Sequence, residues 1–164
     1  MTTKSRPWRF IAASCCILAA GCSGLQNGVY REGLVSDSGE PGYITVQHCL
    51  IAFAGSDVNT ATRTQEEAEK LATELFERAK AGEDFDQIVR DHTDDSPPGI
   101  YKMANFGFES DMSSRIPTNR VFPRDGMVGA FGDVGFKLAV GEYGLAPFHP
   151  EKSGFGWHII KRLK

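Results

Sequence analysis

Tyr43-Ile44-Thr45-Val46-Gln47-His48-Cys49-Leu50-Ile51-Ala52-Phe53 (residues 43–53) has a period of two and predicts a β-strand. The even-numbered positions carry the more apolar face, and His48 lies on it. Cys49 points the other way, because neighbouring strand residues face opposite sides of a sheet. His48 and Cys49 therefore cannot form a nucleophile–base pair, and we interpret Cys49 as a packed thiol.

A second histidine lies in an apolar strand near the other end of the chain, in Gly156-Trp157-His158-Ile159-Ile160. An imidazole in such a strand is unfavourable unless its ring nitrogens have hydrogen-bond partners. Two such rings at opposite ends of the folded region predict one shared site, at the centre of a small sheet, to which both His48 and His158 contribute.

The residues between these strands predict mostly helices. Thr64-Gln65-Glu66-Glu67 is typical of a capping box, and apolar residues at helical spacing follow it as far as Ala79. Asp84 is placed to cap a second short helix. Beyond it we predict a loop over 93–108, irregular structure over 109–124, a short helix within 125–138, and strands over 145–148 and 155–163. This order of elements indicates a compact α+β sandwich.

The first residues are typical of a targeting segment. Lys4, Arg6 and Arg9 precede an apolar run over residues 10–20, and Leu18-Ala19-Ala20-Gly21-Cys22 resembles a bacterial lipobox. We therefore predict a lipoprotein signal peptide over residues 1–21, lipidation of Cys22, a flexible tether over 22–42 and a folded domain over 43–164. An ordinary cleaved signal and an uncleaved anchor remain alternatives. The lipoprotein reading places the domain in the cell envelope, on the extracytoplasmic, periplasmic side.

Charge and cysteine usage exclude some classes of function. The chain has 18 basic and 21 acidic residues, and removing 1–21 takes away three basic residues and no acidic ones. The remaining net charge of about −6, without a basic cluster, argues against nucleic-acid binding. Cys49 would be the one cysteine left besides the lipidated Cys22, so we expect no intramolecular disulfide.

Taken together, these segments resemble the parvulin family of peptidyl-prolyl isomerases over about residues 43–164. Five signatures in the expected order carry the resemblance. They are His48 with Leu50 and Ile51; Gly82-Glu83-Asp84-Phe85; Met127-Val128-Gly129-Ala130-Phe131 with Phe136 and Leu138; Gly141-Glu142; and Phe155-Gly156-Trp157-His158-Ile159-Ile160.

The resemblance implies a four-stranded antiparallel sheet surrounded by three to four short helices. It implies that His48 and His158 meet beneath the active site. It also implies a pocket for the prolyl ring of the substrate, formed by Met127, Phe131 and Phe155.

The catalytic residues that the resemblance implies are His48, Asp95 and His158. Asp95 falls where the family carries a Cys or an Asp beside the reacting amide, and Asp94 is an alternative one residue away. A purely structural histidine pair is the competing interpretation. A metal site built from the three residues has no zinc-ligand spacing to support it, and we expect no metal or other cofactor.

The implied activity is cis–trans isomerisation of X–Pro bonds, which assists the folding of exported proteins. The pocket would bury the prolyl ring and stabilise the twisted amide. The partners would be proline-containing unfolded or nascent exported proteins and, through the lipid, a membrane; we expect a monomer. The alternative is a non-catalytic chaperone or peptide-binding module with a parvulin fold.

Three departures from the family pattern bear on specificity. Residues 97–107 replace a glycine-rich turn, and an insertion over 108–124 is expected to reshape the substrate groove. The basic cluster of phosphate-specific members is absent after the first strand, where Arg63 stands alone. We therefore expect no preference for phosphorylated residues before proline.

Overall fold

The computed structural model describes residues 29–164. The signal peptide predicted over residues 1–21, the lipidation predicted at Cys22 and the first part of the predicted tether lie outside the described residues. The helices are α1 (Gln65–Lys80), α2 (Phe85–His92) and α3 (Gly129–Gly135). The strands are β1 (Tyr43–Ile51), β2 (Ile100–Ala104), β3 (Val121–Pro123), β4 (Tyr143–Ala146) and β5 (Trp157–Arg162).

One mixed sheet in the order β3-β2-β1-β5-β4 organises the domain. β1 is its central strand, pairs antiparallel with β2 and with β5, and is buried along its whole length. β4 pairs antiparallel with β5, whereas β3 pairs parallel with β2. The predicted α+β class is confirmed, but the sheet that residues 29–164 form has five strands and one parallel pair where four antiparallel strands were expected.

The loop predicted over residues 93–108 is wrong between Ile100 and Ala104, which form β2. Pro97, Pro98 and Gly99 delay the start of the strand rather than prevent it, because Gly99 turns the chain back onto β1 with a positive φ of 66°. The backbone N–H of His48 donates to the carbonyl of Gly99 at 2.9 Å. This close approach places β2 directly beside the first histidine.

Each face of the sheet carries its own apolar cluster. The odd-numbered residues Cys49 and Ile51 of β1 pack against α1 and α2. The even-numbered residues Ile44 and Val46 pack against α3. The alternation predicted for residues 43–53 therefore directs successive side chains of β1 to opposite faces of the sheet. His48 lies on the face that α3 covers.

The predicted helix starts of α1 and α2 are confirmed. Thr64 and Glu67 form a reciprocal capping box at α1, and the Asp84 side chain accepts from the backbone N–H of Asp86 at α2. α3 is shorter than the predicted 125–138, since Arg124–Gly126 forms a 3-10 turn instead. Glycines at 129, 132 and 135 weaken helix formation there by about 1 kcal/mol each relative to alanine.

Residues 29–42, which belong to the predicted tether of 22–42, contact the sheet. Val29 and Tyr30 pack against the cluster that contains Tyr43, and Val35 and Pro41 form a β-bridge. The Tyr43 ring lies 5.4 Å from that of Tyr30. Among residues 29–164, no helix combines the length and the apolar character needed to cross a membrane.

Candidate functional site

The two strand histidines lie side by side at the centre of the sheet. In the register of β1 and β5, His48 is opposite Ile160 and His158 is opposite Leu50, so the two rings are diagonal neighbours on one face. Their Nδ1 atoms are 3.1 Å apart and the ring planes are within 16° of parallel. Both residues are buried. The structure therefore brings together the two ends of the folded chain as the sequence predicts.

Asp95 completes a chain of polar groups with this pair. Its Oδ2 lies 3.0 Å from Nε2 of His48 and accepts a hydrogen bond from the hydroxyl of Tyr101, also at 3.0 Å. Its Oδ1 accepts from the backbone N–H of Ser96. The hydrogen bond from His48, more than any other contact, lowers the pKa of Asp95 to about 2. Asp95 is therefore ionised at neutral pH.

An ionised Asp95 determines where the protons lie when each of the two rings carries one. A carboxylate only accepts hydrogen bonds, so Nε2 of His48 carries the proton and Nδ1 carries a lone pair. His158 must then donate from its Nδ1, which leaves its Nε2 as an unprotonated acceptor. That atom is buried and has no hydrogen-bond partner among residues 29–164. Burial, more than any other cause, lowers the pKa of His158 to about 3.

A cavity of about 280 Å³ opens above these groups. It places the three predicted substrate-binding residues, Met127, Phe131 and Phe155, around the two histidines and Asp95. The Phe131 ring is 5.1 Å from the His48 ring and 5.5 Å from the His158 ring, measured between centroids. The rest of the cavity wall is formed by Leu50, Val58, Asp94, Tyr101 and Val128.

The two neighbouring aspartates have different surroundings. The Asp94 carboxylate accepts from the backbone N–H of Ala52 at 2.8 Å and forms an ion pair with Arg63. It thus fastens the end of β1 to the turn after α2. Asp95 alone of the two contacts the imidazole, so the geometry favours Asp95 over Asp94 as the acidic residue of the site.

Tyr101 belongs to the site although the sequence analysis did not single it out. Its ring meets the rings of His48 and Phe131 edge to face, with centroids 5.3 and 6.0 Å apart. Burial, followed by the charge of Asp95, raises the pKa of Tyr101 to about 12, so its hydroxyl stays protonated and donates. The alternation of side-chain types along Ile100-Tyr101-Lys102-Met103 was the sequence feature that could have predicted this strand, and with it the position of Tyr101.

Cys49 and a second cavity lie apart from the histidine–aspartate site. Cys49 is buried between the sheet and α2, and burial raises the pKa of its thiol to about 12, which keeps it unreactive. A second hollow of about 450 Å³ lies between the segment 30–41 and the C-terminal residues Arg162, Leu163 and Lys164. It contains neither histidine nor Asp95.

The chain is similar to known proteins both in sequence and in fold. A family model described as the PPIC-type PPIASE domain matches residues 34–164. Chaperone SurA of Pseudomonas fluorescens is 31% identical over 120 residues, which is 73% of this chain and 22% of that protein. The chain thus spans about a fifth of that relative's length. The solved structure of peptidyl-prolyl isomerase ESS1 from Candida albicans is similar in fold, with a TM-score of 0.56 and 22% identity over 81% of this chain and 67% of that one.

The buried histidine makes the stability of the domain sensitive to acid. Below pH 6.5 the unfolded chain binds a proton at His158 that the folded chain rejects until about pH 3. The free energy of unfolding should therefore fall by about 1 kcal/mol per pH unit as pH is lowered from about 6. The stability that the folded state gains from the ionised Asp95 carboxylate is lost at lower pH, between about 4 and 2.

Urea denaturation followed by circular dichroism between pH 7 and pH 5 measures this slope. We expect His158→Gln to flatten it, whereas the matched change of the exposed His149 to Gln should leave it as in the wild type. An equal slope in wild type and His158→Gln would contradict the assignment of a neutral, buried His158.

Proposed function

Because this chain belongs to the PPIC-type peptidyl-prolyl isomerase family, we propose that it accelerates the cis–trans isomerisation of X–Pro bonds in exported proteins. One observation carries the proposal: an apolar cavity whose floor is the histidine pair and whose rim holds the Asp95 carboxylate. The cavity accepts an apolar ring and places a fixed negative charge beside it.

The prolyl ring is the part of the substrate that this cavity suits. Met127 and Phe131 supply apolar wall, and Phe155 remains 39% exposed, so it is free to cover a ring that enters. Removing about 100 Å² of ring surface from water contributes roughly 2.5 kcal/mol of binding. With the ring held, rotation about the X–Pro bond must move the part of the substrate that precedes proline.

The amide itself sets the barrier that must be lowered. Resonance across the C–N bond resists rotation by about 18–20 kcal/mol, and it separates charge between oxygen and nitrogen in the planar forms. A twisted amide loses that charge separation. A cavity with apolar walls therefore favours the twisted state over both planar isomers, which is the differential binding that catalysis requires.

Asp95 and the histidine pair have supporting parts in this mechanism. The negative charge of Asp95 near the substrate carbonyl opposes the build-up of charge on that oxygen and so favours single-bond character. His48 and Tyr101 hold the carboxylate by donating to its Oδ2. No bond is cleaved, so neither histidine has to transfer a proton.

Replacing Phe155 tests the pocket without removing core volume. Phe155→Ala should lower kcat/KM for an Xaa-Pro peptide about tenfold, because a wall worth about 1.4 kcal/mol is lost. A protease-coupled isomerisation assay measures the rate. Ile116→Ala is the matched control, since that side chain is also exposed, at 58%, and does not line the cavity. Equal rates for Phe155→Ala and wild type would rule out this pocket.

The two aspartates provide a second, paired test. Asp95→Asn should lower kcat about tenfold, because the charge beside the amide is lost while the shape is kept. Asp94→Asn removes the charge that pairs with Arg63 but keeps the contact between Asp95 and His48, so it should lower the melting temperature and lower kcat of the folded protein less than Asp95→Asn does. The measurements are kcat for an Xaa-Pro peptide and the melting temperature of both variants. An unchanged kcat in Asp95→Asn would contradict the proposed role of that carboxylate.

The second candidate function is peptide binding without turnover. The similarity to a protein named chaperone SurA favours it, and the same cavity would hold a prolyl segment of an unfolded chain. The assay above separates the candidates, because a peptide-binding chaperone would retain affinity for Xaa-Pro peptides while giving no acceleration over the uncatalysed rate.

We also propose that the domain is anchored to a membrane through a lipid on Cys22, with residues 1–21 removed and the domain on the extracytoplasmic side. The lipobox-like Leu18-Ala19-Ala20-Gly21-Cys22 supports this proposal. Mass spectrometry of the wild-type protein from the membrane fraction should find an N-terminal peptide that begins at Cys22 and carries acyl mass, and Cys22→Ala should lack that mass. A wild-type protein that fractionates as soluble, with no acyl mass on its N-terminal peptide, would contradict it.

A further inference from the structure

Arg124 is a buried cation that contacts α3 without lining the cavity. Its side chain is 7% exposed, and it lies in the 3-10 turn that precedes α3. A guanidinium removed from water is unfavourable unless carboxylates and other acceptors surround it. The partners it gathers come from three separate parts of the chain.

Two carboxylates and an amide bind the guanidinium. Nη1 donates to Glu40 of the N-terminal segment 29–42 and to Asn105 after β2, both at 2.8 Å. Nη2 donates to Asp133 of α3 at 2.9 Å. The rings of Phe106 and Phe136 lie 4.8 and 4.7 Å from the cation. Arg124 therefore links the N-terminal segment to the helix that carries Phe131.

α3 depends on such outside support. It spans only Gly129–Gly135, and within residues 29–164 no side-chain hydrogen bond caps it at the N-cap Val128. A Cβ atom on Gly132 would lie 3.2 Å from Cγ of Arg124, so this glycine lets the helix rest closely on the arginine. A short, glycine-rich helix takes its position from the groups it packs against.

We propose that Arg124 is a positioning residue for the prolyl pocket, and that through Glu40 the N-terminal segment forms part of the support of that pocket. Asp133 and Phe131 are two residues apart on α3, so a helix released at Asp133 also releases the ring that contacts both histidines. This inference rests on the proposed isomerase function and names the residues that hold its pocket in shape.

The proposal has a kinetic signature that a merely structural role lacks. When the pocket is correctly formed in only a fraction of molecules, the apparent affinity for substrate falls by that fraction while bound substrate still turns over normally. KM then rises and kcat is unchanged. Irreversible loss of folded protein does the reverse, because it lowers the concentration of active protein and leaves KM as it was. Reversible unfolding of the whole domain would also raise KM, so the two are separated by amide hydrogen exchange, which becomes faster in α3 alone when only the pocket is released and in β1 as well when the whole domain unfolds.

Glu40→Ala tests the proposal, with Glu32→Ala as the matched control. Both residues belong to the N-terminal segment, but Glu32 pairs with Lys164 and does not reach α3. On Xaa-Pro peptides we expect an increase in KM of about fivefold for Glu40→Ala and none for Glu32→Ala, with kcat unchanged in both. Asp133→Asn should act in the same direction as Glu40→Ala. Amide hydrogen exchange across α3 should be faster in Glu40→Ala than in the control.

An unchanged KM and unchanged α3 exchange in both Glu40→Ala and Asp133→Asn would overturn the proposal, as would an equal effect in Glu32→Ala. If Glu40→Ala fails to fold, Glu40→Gln removes the charge and keeps the shape, and the same comparison is made. If the wild type gives no turnover, the isomerase function fails separately. The dissociation constant of a fluorescent Xaa-Pro peptide then replaces KM, and exchange at α3 still decides whether Arg124 and Glu40 position the helix.

Discussion

The hydrogen bond between Nδ1 of His48 and Nδ1 of His158 is the contact on which the rest of the site depends. It joins the central strand to the last strand across 110 positions of sequence, and it occurs where water is excluded. A neutral imidazole has one donor and one acceptor, so the pair is satisfied only when each ring takes a defined tautomer. The ionised Asp95 determines which tautomer that is.

This constraint connects the sheet to the cavity. β1 is buried on both faces, and its even-numbered side presents His48 to Phe131 and Tyr101. The opposite side packs on α1 and α2 and contains the unreactive Cys49. The domain thus separates a stabilising layer from a layer that forms the proposed pocket. The second layer contains less helix, since α3 is short and rich in glycine, and the ion pairs of the buried Arg124 support it.

The parts of the site that follow strand periodicity could be predicted from the sequence. His48 and His158 each interrupt an apolar strand, and burial requires that they find partners, so their meeting follows from the residues themselves. Met127, Phe131 and Phe155 came from the resemblance to a family, because an apolar residue at helical or strand spacing looks the same whether it lines a cavity or fills a core.

The parts that could not be predicted depend on turns. Ile100–Ala104 follows two prolines and a glycine, and that composition hid a strand and with it Tyr101. Arg124 and Glu40 each lie in stretches without periodicity, where nothing local indicates that a distant carboxylate will neutralise a buried guanidinium. The choice between Asp94 and Asp95 likewise needed coordinates, because adjacent residues in a turn differ only in direction.

The most direct test of this account is the protonation of the two histidines, read from ¹⁵N and ¹H chemical shifts of the side chains by NMR between pH 7.5 and pH 5. We expect His158 to stay neutral over this range and, at pH 7.5, to carry its proton on Nδ1 and none on Nε2, while Nε2 of His48 carries a proton bound to Asp95. A His158 ring that titrates near pH 6.5, or a proton found on its Nε2 at neutral pH, would contradict it.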